Sequence, residues 1–211
     1  MASAQPVVLP TSPSSSPTTA TTTMTEVTLS TDTSPLHFTS GPSVANFNVP
    51  LETYLSASPG LDGLCVGGFV FDDRSRLLLV QRAAHDSFPL RWEVPGGTID
   101  ADGQTVLHGL ARELWEETGL RARHISGRVG KGYTFLTHRP KCVCKYSFVV
   151  DVEAYEVKLD PEEHIAFLWV TEDEAMARKS GNVNIVYTTK EQGDVIFESF
   201  NTRREDAICG V

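Results

Sequence analysis

Three acidic side chains, Glu113, Glu116 and Glu117, follow one another at spacings of three and four. On a helix this places their carboxylates on adjacent turns of one face, where like charges four residues apart cost about 0.2–0.5 kcal/mol. The nearest basic residues are Arg112, immediately beside Glu113, and Arg121, beyond the expected helix end. With so little compensation the trio implies a missing cation, and an all-oxygen donor set suits Mg²⁺ or Mn²⁺ rather than zinc. A cation held there inverts the local field and admits an anionic small substrate.

The elements that must position these carboxylates are legible on either side. From Thr105, the apolar residues Leu107, Leu110, Ala111, Leu114 and the methyl of Thr118 recur every three to four positions, which is one buried face of a helix. Gly119 is placed to end it. Ahead of the helix lies Pro95-Gly96-Gly97, a turn whose glycines let the backbone approach a ligand closely. Trp92-Glu93-Val94 is expected to be a short strand that delivers the chain into that turn.

The run Arg112-Glu113-Leu114-Trp115-Glu116-Glu117-Thr118-Gly119-Leu120 resembles the second half of the Nudix box, REUxEExGU, at every fixed position, and Gly97 matches its opening glycine. Between that glycine and the box's first Glu the family pattern has five residues. Here six intervene, Thr98 to Gly103, and Gln104 stands in the place of the Glu. The departure is expected to weaken or alter metal affinity rather than abolish activity. The resemblance spans roughly Leu64 to Val170. It implies an α/β fold, an α/β/α sandwich with a mixed sheet, and Mg²⁺-dependent hydrolysis of a diphosphate linkage by water attack at phosphorus. It also implies Glu113, Glu116 and Glu117 as metal ligands, one of them able to hold or deprotonate water. Arg112 would fix a carboxylate by a charge-assisted hydrogen bond, and Gly96 and Gly97 would shape the loop.

Such enzymes often recruit a further carboxylate from a later loop. Asp160-Pro161-Glu162-Glu163-His164 is that loop here, with Glu163 favoured over Glu162. Arg82, Glu93 and His164 are further candidates for the phosphate or metal surroundings. Two other readings stand beside hydrolysis: a nucleotide-sensing module that does not turn its ligand over, and an enzyme that processes a prenyl diphosphate on the same fold.

Composition narrows the partners. The chain has 211 residues, 40% apolar and 21% charged, with a formal net charge of −9, which suits one soluble domain with extensions. The negative balance argues against nucleic acid or an anionic membrane as the main partner, and a homodimer is left open. The four cysteines, Cys65, Cys142, Cys144 and Cys209, fit no zinc spacing and read as free thiols of a reducing compartment. No apolar run approaches membrane-spanning length, and the start lacks the basic residue of a secretory leader. A cytoplasmic location is therefore expected.

Along the chain, residues 1–42 are rich in Ser, Thr and Pro and contain no Lys or Arg, so a disordered segment is expected. Residues 43–60 read as a lead-in docked on the domain, and residues 61–207 as the domain itself. Leu64–Asp72 and Arg76–Gln81 read as strands joined in a hairpin, with Gly67 and Gly68 marking a bulge or a close ligand approach. Ala122–Phe135, Lys141–Val152 and Ile165–Val170 follow as strands. Thr171 to Glu174 has a capping-box layout opening a short helix, and Thr189 to about Arg204 is a last helix.

Overall fold

The computed structural model describes residues 36–102 and 104–209. In chain order the elements are β1 (Thr39–Ser40), a 3-10 turn over Pro42–Phe47, α1 (Leu51–Ser56), β2 (Gly63–Phe69), β3 (Leu77–Arg82), β4 (Trp92–Glu93) and α2 (Val106–Thr118). They continue with β5 (Ala122–Leu136), β6 (Cys142–Val152), β7 (His164–Val170), α3 (Glu172–Ala177), β8 (Lys179–Ser180), β9 (Val183–Asn184) and α4 (Lys190–Cys209). The fold is the expected mixed α/β arrangement.

Two sheets form the centre. One runs β1-β5-β6-β2, with β5 and β6 antiparallel and the outer pairs parallel; the other, β4-β3-β7, is antiparallel throughout. The hairpin expected after β2 is present, and it carries the chain from the first sheet to the second. Phe71 still bridges Leu77, and the Asp72 carboxylate caps the turn by accepting the Arg74 and Arg76 backbone N–H groups at 3.0 and 2.8 Å. No bulge interrupts β2, whose seven residues pair with β6 in unbroken register. The Gly67-Gly68 pair therefore serves close approach rather than a bulge.

Side chains alternate across β6 as a period of two requires, and both faces are covered. Cys144, Phe148 and Val150 join Leu64, Val66 and the α2 residues Leu107, Leu110 and Leu114 in one core. Val149 on the opposite face joins Phe69, Leu77, Leu79, Trp92 and the α4 residues Ile196 and Phe200 in another. Burying each α2 leucine contributes about 1.5–3 kcal/mol relative to exposure. That packing, together with the caps, fixes the helix in place. Thr105 receives the His108 N–H at its side chain, and Gly119 closes the helix in the left-handed conformation, φ 67°.

The expected disordered segment falls mostly outside the described residues, but its boundary at residue 42 is too late. Leu36 and Phe38 pack on the first core and β1 pairs with β5, because these apolar side chains find an open sheet edge beside Ile125. The lead-in docks through Val44, Phe47 and Leu51, and the Val49 carbonyl accepts the Val106 N–H at the start of α2. The β8–β9 hairpin was not foreseen, since two-residue strands carry no periodic signal.

Candidate active site

The Pro95-Gly96-Gly97 turn is hydrogen-bonded along β2, with the Val66 N–H donating to Gly97 O and the Gly68 N–H to Pro95 O, both at 2.8 Å. This brings the turn over the flank of α2. Gly96 has φ 142°, and a Cβ there would lie 2.3 Å from the Val66 carbonyl oxygen. A Cβ on Gly97 would lie 2.2 Å from Glu113 Oε2. Both positions thus require glycine, the first for the backbone and the second to leave the space that the Glu113 carboxylate occupies.

Glu117 is the most deeply placed of the helix acids, 4% exposed, and its Oε2 accepts the Gly96 N–H at 2.7 Å. Burial drives its carboxyl well above the usual value; the Gly96 bond opposes this, while Glu93, Glu113 and Glu163 add to it. Burial likewise pushes the Glu113 carboxyl up to about 7, against the pull of Arg112 and with the help of Glu116 and Glu163. Two neighbouring carboxyls held this high are destabilised as anions, the condition a bound cation relieves.

Glu163 and His164 reach the same place from the loop before β7. Ligand atoms of Glu117, Glu163 and His164 all lie within 4.8 Å of one another. His164 is buried, and its Nδ1 has no hydrogen-bond partner. Burial lowers its pKa, which favours the neutral imidazole, a competent ligand. Carboxylate oxygens from helix and loop, an orphaned imidazole nitrogen and a glycine cradle together fit a divalent cation.

Glu116 is the outermost of the expected trio. Its side chain is 46% exposed against 13% for Glu113, and it faces Arg112 rather than the turn. Arg112 donates to Glu116 Oε2 at 2.7 Å and to Glu113 Oε1 at 2.8 Å, and it pairs with Asp100 at 3.1 Å. The expectation of scant compensation therefore needs correcting, because Arg112 lies four residues before Glu116 and reaches it along the helix. Gln104 is exposed at the mouth of α2, its N–H on Asp102 Oδ1.

Arg82, expected near the phosphates, instead clamps its own loop. Its guanidinium pairs with Glu93 and Asp86 and bonds the Ser87 carbonyl and hydroxyl. Burial works against its charge, but Glu93 and Asp86 together outweigh it and raise its pKa. Lys145, a residue the sequence did not single out, lies beside Glu93, Nζ to Oε2 3.7 Å. Its only signal was a lysine between Val143 and Ser147 on the face of β6 that also carries Val149.

Comparison with known proteins identifies the family. The NUDIX domain model matches residues 62–190. A MutT-like protein of Streptomyces ambofaciens is 34% identical over 128 residues, covering 58% of this chain and 73% of that protein. An RNA pyrophosphohydrolase of Psychrobacter sp. (strain PRwf-1) is 42% identical over 60 residues, only 28% of this chain and 32% of that protein. Among solved structures, the MutT protein from Methanosarcina mazei Go1 superposes with a TM-score of 0.54 at 26% identity, over 67% of this chain and 94% of that one. No described helix is long and apolar enough to cross a membrane. With the family model spanning more than half of the sequence, the chain belongs to the Nudix family of pyrophosphohydrolases.

Proposed function

We propose that this chain hydrolyses the diphosphate linkage of a small organic diphosphate or triphosphate, using Mg²⁺ or Mn²⁺ held by Glu113, Glu117 and Glu163 with His164 alongside. The observation that carries the reading is the close approach of the buried Glu117 and the half-buried Glu113 beneath the Pro-Gly-Gly turn, with the Gly96 N–H on Glu117 and Arg112 on Glu113. The cation would supply charge neutralisation on the phosphates and polarise the phosphorus under attack.

The protein's own groups then have separable roles. Gly96 orients Glu117 through its N–H, and Arg112 locks Glu113 while keeping Glu116 in reserve at the outer edge of the site. Glu163 is solvent-exposed yet within 4.8 Å of Glu117, so it is the carboxylate with access to water. It takes a proton as the water oxygen bonds to phosphorus and the bridging P–O bond breaks, leaving two phosphate-bearing products. General-base assistance of this kind contributes about 10²–10⁴-fold.

Phosphate or pyrophosphate release from a panel of nucleoside and prenyl diphosphates, with Mg²⁺ and with a chelator, tests the reading. Cation-dependent release by wild type and its loss in Glu117→Gln are expected. Tight nucleotide binding without release in any condition would instead identify a sensor.

A further inference from the structure

Between Glu117 and Asp151 the chain has no Asp or Glu but seven of its 18 Lys and Arg, in a protein of net charge −9. Within this run Lys145 pairs with Glu93, Arg123 with Asp151, and Arg128 lies over the Tyr146 ring. Lys131, Arg139 and Lys141 are exposed and form no ion pair among the described residues. All three belong to the far end of the β5–β6 hairpin.

That end is set apart from the body of the fold. Register between the strands shifts between Val129 and Tyr133, where Gly130 and Gly132 have φ 65° and 79°, and a break of this kind bends a strand. Beyond it Thr134, Phe135 and Leu136 are all exposed, although successive residues of a strand point to opposite faces. Neither face of β5 is covered there, so the end stands clear of both cores. Leu136 is 71% exposed and Phe135 39%, the Phe135 ring 6.3 Å from that of Tyr133. The connecting backbone is tied to itself: the Thr137 N–H donates to the Lys141 carbonyl at 3.0 Å, and the Thr137 hydroxyl to the Arg139 carbonyl. Asp62 joins this end by accepting the Cys142 N–H at 2.7 Å.

We propose that the hairpin end docks the protein on an anionic lipid surface, Phe135 and Leu136 entering the headgroup layer while Lys131, Arg139 and Lys141 meet the lipid phosphates and carboxylates. Charge complementarity selects this partner, since three unpaired cations surround the apolar point and each is attracted to such a surface. Apolar side chains gain by leaving water at the interface, and Lys and Arg stems can follow them while their heads stay in the polar layer. The negative balance of the whole chain does not reach this far, because physiological salt screens a charge within about 8 Å. A folded protein partner would need a cavity shaped to the projecting point, whereas a bilayer interface needs none. The inference is independent of the hydrolytic reading and uses none of the residues assigned to the site.

The test is cosedimentation of the full chain with vesicles of phosphatidylcholine alone and of phosphatidylcholine with about one-third phosphatidylserine, at low and physiological salt. Wild type is expected on the anionic vesicles, less as salt rises, and not on the neutral ones. Arg139→Ala/Lys141→Ala should lower the partition coefficient by about 10- to 30-fold, and Leu136→Ser by about 10-fold with the salt dependence unchanged. Arg123→Ala, which removes an exposed cation at the opposite end of β5, should leave it unchanged. All variants should melt with wild type, since the altered side chains are exposed. No binding by wild type, equal binding to both kinds of vesicle, or an equal loss in Arg123→Ala would each overturn the proposal. Binding of a single-stranded oligonucleotide in place of vesicles, lost in the same double variant, would also overturn it and assign the hairpin end to nucleic acid.

Discussion

Two groups of charged side chains sit side by side in this protein and are balanced differently. In the first, Arg82 and Lys145 face Glu93 and Asp86, two cations against two carboxylates. In the second, Glu113 and Glu116 share the guanidinium of Arg112, while Glu117 and Glu163 lie beside them, Glu117 bonded to the Gly96 N–H. The first group is neutralised by the fold itself and holds the loop between β3 and β4 against the sheets. The second is left electrostatically incomplete, and folding tolerates it by keeping carboxyls protonated where a cation is absent. The contrast separates charge that serves structure from charge that awaits a ligand.

The largest expected effect breaks the balanced group. Glu93→Gln strands Arg82 and Lys145 without their shared carboxylate and should cost about 3–5 kcal/mol in urea unfolding. A cost under about 1 kcal/mol would mean the group is not structural. In the incomplete group the corresponding change moves activity instead. Glu117→Gln should lower kcat by about 10²–10³-fold while leaving the metal-free protein as stable as wild type or more so. Equal destabilisation in both variants would erase the distinction.

A pH series sharpens the contrast. The Glu113 carboxyl is raised from its usual 4.5 to about 7, so between those values the folded state binds a proton that the unfolded state has released. Its contribution to stability is full below pH 4.5 and is lost as pH rises through 7, about 3 kcal/mol in all. Mg²⁺ stabilises the charged form, so the gain in melting temperature from Mg²⁺ over chelator should grow from pH 5 to pH 8. A gain independent of pH would place the cation elsewhere. The smallest effect is a control: Thr105→Ala removes the α2 cap and should cost about 1 kcal/mol in unfolding without changing Mg²⁺ affinity.

The acidic half of the site was legible because it is local. A glycine turn, a cap, an apolar stripe and three glutamates fall within one short run, and their spacing alone sets the helix and most of its outward face. Even there, the Arg112 to Glu116 pairing was overlooked, which made the cluster look barer than it is. The balanced half was not legible, since Arg82, Glu93 and Lys145 come from three strands in two sheets and meet only through register and sheet packing. The same holds for β1, whose two residues gain an identity only from the edge of β5. Glu163 and His164 were found because an acidic loop ahead of a strand is a local feature, but their closeness to Glu117 is a property of the assembled fold.

Calorimetric titration of Mg²⁺ into wild type and into the Glu113→Gln/Glu117→Gln double variant at pH 8 tests the incomplete cluster most directly. Saturable binding to the wild type, abolished in a double variant that still melts cooperatively, is the expected result. Equal binding to both proteins, or no binding to either, would contradict the assignment of Glu113 and Glu117 as the seat of the cation.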